Sequence, residues 1–100
     1  MDNKLRRIIY AICADYSRRA KLLQRGRLPI ETAATYARWN AAIDLAVAKH
    51  AEPGERSAMM KALQNRRGYN EAADYRGKNQ YYKRKALIVE EIARQLHLAE

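Results

Sequence analysis

Apolar side chains at Leu5, Ile8, Ile9, Ile12, Cys13, Tyr16, Ala20 and Leu23 recur at steps of three and four, while Lys4, Arg6, Arg7, Asp15 and Arg18 fill the other faces. That spacing predicts one amphipathic helix, and Gly26 ends it, because glycine takes the left-handed conformation that closes a helix. Pro29 suits the first turn of a second helix, where its missing N–H would have no partner anyway, and Glu31 adds the negative charge favoured there. The second helix is expected to run to about His50. Ala33, Tyr36, Ala37, Ile43 and Val47 form its apolar side, with Trp39 on a flank. Together the two predict an antiparallel hairpin over 4–50.

Glu52-Pro53-Gly54-Glu55 then breaks the chain, since proline restricts the residue before it and glycine tolerates turns. Beyond it, Ala58, Met59, Ala62 and Leu63 define a third helix ending near Gly68. Asn70 caps a short fourth helix through Tyr75, and Arg76-Gly77-Lys78-Asn79 reads as a turn. Asn79 caps a fifth helix with the buried stripe Leu87, Ile88, Ile92 and Leu96. No apolar–polar alternation lasts long enough for a strand. The expectation is a single all-α domain over 1–100, with the hairpin followed by a three-helix unit over 55–98 that contains a helix-turn-helix. A chain of 100 residues suits one core and not two.

Charge changes this picture by its distribution. Lys and Arg number 20 against 11 Asp and Glu, a net +9. Arg18, Arg19, Lys21, Arg25 and Arg27 occur with no acid between Arg18 and Arg27. Five more cations, Arg76, Lys78, Lys83, Arg84 and Lys85, fall between Arg76 and Lys85, again without an acid. The first stretch fits a solvated helix face, a phosphate contact or an oligomer contact equally. The second sits where the last helix begins. Each cation near the positive end of a helix dipole costs about 0.3–1 kcal/mol unless an anion is at hand, and Glu90 and Glu91 come only later. A docking polyanion accounts for the placement, and double-stranded DNA is the first candidate: Lys and Arg neutralise phosphates, while Asn, Gln and Tyr reach backbone or base edges.

Other chemistries find little support. Cys13 is the only cysteine, so it has no partner for an intrachain disulfide and a reducing cytoplasm fits. It falls on the apolar stripe, as a small hydrophobe would. His50 and His97 are far apart with no ligand-spaced Cys or carboxylate pair, which argues against metal. Glu90 and Glu91 are adjacent, about 100° apart on a helix, and no nucleophile elbow or phosphate loop occurs, so neither an enzyme nor a cofactor is expected. No apolar run approaches the roughly 20 residues of a membrane span.

The segment from Asn70 to Leu87 has the layout of a helix-turn-helix: two helices, a short turn holding glycine, and a basic start to the second helix. Gln80 matches an adenine edge, and Lys83 or Arg84 a guanine edge. Tyr81 and Tyr82 divide, one buried and the other exposed. The stretch LQNRRGYNEAADYRGKNQYYKRKALIVEEIARQLHL, with its Tyr-Tyr-Lys-Arg-Lys run and EEIARQLHL tail, resembles the C-terminal part of small phage transcriptional regulators of the RinA/ArpU type. Upstream, DYSRRAKLL, YARWNAAIDLA and the EPGER break are similar to that group too. The resemblance implies a helix-turn-helix like the promoter-reading fourth region of sigma factors, although Arg76, Lys78 and Lys83 then occupy points that such motifs usually bury.

The expected interface is therefore Arg76, Lys78, Asn79, Gln80, Tyr81, Tyr82, Lys83, Arg84 and Lys85. Arg18, Arg19, Lys21, Arg25 and Arg27 form a second basic patch, and a homodimer reading two half-sites is a further expectation. Neutralising Lys83 or Lys85 is expected to weaken binding to all sequences, and changing Gln80 or Arg84 to alter preference. The rival is a helical interaction or assembly protein, a phage packaging component or an RNA polymerase adaptor whose basic surfaces meet acidic protein. A third reading is structured RNA.

Overall fold

A computed structural model describes residues 2–65 and 78–98 of the chain. They form α1 (Asn3–Ala14), α2 (Tyr16–Arg25), α3 (Ile30–His50), a 3-10 turn (Pro53–Glu55), α4 (Arg56–Asn65) and α5 (Lys78–Gln95), with no strand among the described residues. The all-α class expected from the periodicity is the class observed. The Gly68 stop, the short helix from Asn70 to Tyr75 and the Arg76-Gly77 part of the turn lie outside the described residues.

The single first helix is in fact two. Asp15 leaves helical geometry at φ −93° and ψ 5°, separating α1 from α2. The next turn carries Arg19 inward, where it is 1% exposed. Its guanidinium donates to the carbonyl of Ile12, one of the last carbonyls of α1 that helix geometry leaves unpaired, and its Nε donates to Asn40 Oδ1 at 2.8 Å. Asn40 is buried too and donates from Nδ2 to the Tyr16 carbonyl at 3.2 Å. The Trp39 ring lies 5.5 Å from the Arg19 guanidinium. Arg19 thus takes the inward place that the periodicity gave to Ala20, which is exposed. Burial pulls the guanidinium below its ordinary pKa, and the Asp15 carboxylate, 3.8 Å away, opposes that shift.

After the break the two halves of the N-terminal segment diverge: α2 lies along α3, while α1 packs against α4 and α5. The hairpin expected over 4–50 therefore consists of α2 and α3. Gly26 closes α2 with φ 70°, in the left-handed region expected of it. Around α3 the core collects Ile9 and Cys13 from α1, Ile43, Ala46 and Val47 from α3, Met59, Ala62 and Leu63 from α4, and Tyr81, Ile88, Val89, Ile92 and Ala93 from α5. Ile8 and Ala37, expected inside, face solvent. The buried stripe of α5 likewise holds Tyr81 and Val89 and leaves Leu87 36% exposed.

Two measurements follow. Asn40→Ala leaves the Arg19 Nε–H and the Tyr16 carbonyl without their partner, so urea unfolding should show a loss of about 1–3 kcal/mol, whereas Arg18→Ala, at the surface, should leave the midpoint nearly unchanged. Burial pushes the Cys13 thiol up to about 12. Because the thiolate is the reactive form, iodoacetamide should label Cys13 slowly in the native protein and rapidly in denaturant.

Candidate nucleic-acid interface

Helix α5 divides its residues by the 100° step of an α-helix. Tyr81, Lys85, Ile88 and Ile92 share the inward side, and Asn79 and Lys83, four residues apart, share the outward one. Lys78, Asn79, Gln80, Tyr82 and Lys83 are all exposed, and among the described residues neither Lys78 nor Lys83 makes an ion pair. The first turn of α5 has no acid.

Four expectations need correction. Lys78 and Asn79 are helical, so α5 begins before the position at which Asn79 would cap it; a cap needs non-helical backbone, which Asn79 does not have. Tyr81 is fully buried, leaving Tyr82, at 44% exposure, as the outward tyrosine. Lys85 is 8% exposed, its Nζ lying 5.3 Å from the Tyr10 ring and 5.6 Å from that of Tyr81. Two aromatic faces stabilise that ammonium, so Lys85 is largely withdrawn from the outward side of α5. Arg19 leaves the second basic patch for the interior. Arg76 lies outside the described residues.

Arg84 is turned toward its own chain without being sealed. Nη1 donates to the His50 carbonyl at 2.8 Å, and Nη2 lies 3.7 Å from Glu52 Oε1. With its amide oxygen facing the guanidinium, Gln80 accepts from Arg84 Nη2 at 3.0 Å. The contact to His50 helps satisfy the carboxyl end of α3, where Arg56 also donates to the Ala48 carbonyl at 3.1 Å.

Below this end lies Glu91, nearly fully buried on α5. It accepts from Lys49 Nζ, Arg94 Nη2 and Gln95 Nε2, each at 3.0 Å, and His50 Nε2 is 3.4 Å away. The hydrogen bonds, led by that from Gln95, hold its carboxyl well below the usual carboxylate range. Between the end of α3 and the start of α5 runs a groove of about 530 Å3 lined by Lys49, His50, Asn79, Gln80, Lys83, Arg84 and Leu87. The sequence did not point to Lys49 at all, and it raised His50 only to argue against metal binding. A basic last turn is ordinary for any helix, and nothing local shows that it meets residues more than thirty positions away.

The second basic patch is less uniform than its charge suggests. Arg18 is held by Asp15, with Nε at 2.7 Å, and rests 5.7 Å from the Tyr36 ring. Lys21, Arg25 and Arg27 are exposed. Among the described residues no group of His, Cys, Asp and Glu gathers to hold a metal ion, and no helix is long and apolar enough to cross a membrane. In comparisons with protein-family models, curated proteins and solved structures, nothing matches this chain.

Glu91 generates a pH signature. A carboxylate whose pKa is depressed by folding contributes stability that is complete above its unfolded value of about 4.3 and is lost as pH falls toward the folded one. Urea midpoints should therefore fall below about pH 4.3, and Glu91→Gln should lower stability at neutral pH while flattening that decline.

Proposed function

We propose that this chain is a DNA-binding transcriptional regulator, similar to the small phage regulators its sequence resembles, that meets duplex DNA with the outward side of the first turns of α5. The observation that carries this reading is the joint exposure of Lys78, Asn79, Gln80, Tyr82 and Lys83 on a helix whose first turn has no acid. Lys78 and Lys83 supply charge for backbone phosphates, Tyr82 a hydroxyl, and Asn79 and Gln80 amides suited to phosphate or base edges. Arg84 joins when it exchanges its contact with the exposed Glu52 for phosphate. Lys85 and Tyr81 act by fixing the orientation of the helix.

A cytoplasmic location and a homodimer on two half-sites belong to the same proposal. The second reading, an adaptor on RNA polymerase or a packaging component, draws on Ile8, Ile30 and Leu45, apolar side chains left in solvent. Nuclease treatment separates the two, since an adaptor stays on its protein partner after DNA is removed.

Selection of duplexes from a random pool, followed by titration across a salt series, tests the proposal. Lys83→Gln should weaken binding to every sequence and reduce the slope of log affinity against log salt by about 1. Gln80→Ala should change the selected sequence. Binding that is indifferent to Lys78→Gln and Lys83→Gln together would refute the assignment, and preference for RNA over the same duplex would redirect it.

A further inference from the structure

We infer that the groove between the carboxyl end of α3 and the first turns of α5 is a phosphate-binding site, formed by Lys49, Lys83 and Arg84 with His50, Asn79 and Gln80 beside them. The inference rests on the DNA reading for the source of the phosphate, a backbone phosphodiester, but not for the site itself. Among the described residues, three cations line this groove and no acid does. They come from two helices, so the site differs from a basic helix face: an anion held there touches α3 and α5 together.

The surrounding charges favour an added anion. Glu91 lies beneath the groove and already accepts from Lys49, Arg94 and Gln95, so Lys49 can lend its remaining donors to a ligand while Glu91 stays paired. Lys49 is 59% exposed at its side chain, within reach of a ligand in the groove. Lys83 has no ion pair among the described residues. Arg84 shows which anions its guanidinium draws: Glu52, itself 60% exposed, presents a carboxylate 3.7 Å from Nη2, which also donates to Gln80. Carboxylate and phosphate oxygens are recognised by the same guanidinium donors, and phosphate offers more acceptors and more charge. Glu52 is thus an internal stand-in that a phosphate displaces.

The test uses the full chain and two probes, inorganic phosphate and duplex DNA. On titration with phosphate at constant ionic strength, saturable NMR shifts should centre on the amides of Lys49, His50, Asn79, Gln80, Lys83 and Arg84. Lys49→Gln should abolish saturation and weaken duplex binding severalfold, and Lys49→Arg should restore both, which a purely structural role for the Glu91 contact would not separate from a urea midpoint. Glu52→Gln should tighten phosphate binding about two- to threefold by removing the competing carboxylate. Shifts that stay linear and scattered, with duplex affinity unchanged in Lys49→Gln, would overturn the site while leaving the α5 reading standing. Saturable phosphate shifts in a protein that binds no duplex would uphold the site and end the DNA reading.

Discussion

The fold depends on where a single buried guanidinium finds its partners. Arg19 cannot enter the interior unless its N–H groups are met, because an unpaired charge there costs several kcal/mol. It meets a backbone carbonyl at the end of α1 and the side-chain oxygen of Asn40 on α3, across the point where the helix is interrupted at Asp15. The break is what lets α2 lie on α3 while α1 turns toward α4 and α5. The buried cation spans the interruption in the helix, and Asn40 ties the start of α2 to α3.

A second polar junction does comparable service at the other end of α3. Glu91 draws Lys49 from α3 together with Arg94 and Gln95 from its own helix, and Arg84 and Arg56 cover the last carbonyls of α3. Apolar packing brings α3 and α5 together, and the Lys49–Glu91 contact links them at this end. The buried stripe of Tyr81, Ile88 and Ile92 turns Lys83 and Asn79 outward, and the Glu91 network ties that orientation to the end of α3.

Periodicity made most elements legible. The extent of α3, the left-handed stop at Gly26, the apolar positions of α4 and most of the α5 stripe follow from spacing and turn chemistry. What spacing could not supply was the inward side of Arg19 and Lys85, because a charged residue is assigned outward unless its partners are known. Those partners are distant in sequence: Asn40 for one, the ring of Tyr10 for the other. The same limit hid Lys49, whose role depends on Glu91 forty-two positions later. The five uncompensated cations between Arg76 and Lys85 were visible from the start, but the chain itself accommodates Lys85 and partly Arg84. Among the described residues Lys78 and Lys83 remain exposed, a smaller and better-defined surface than the charge run suggested.

The break at Asp15 also bears on how the sequence can vary in length. In a helix, adding or removing one residue rotates everything beyond it by about 100°. A deletion between Asp15 and Arg19 would swing the guanidinium out of register with Asn40 and into water. Natural variants of this protein should therefore keep the count from Asp15 to Arg19 constant.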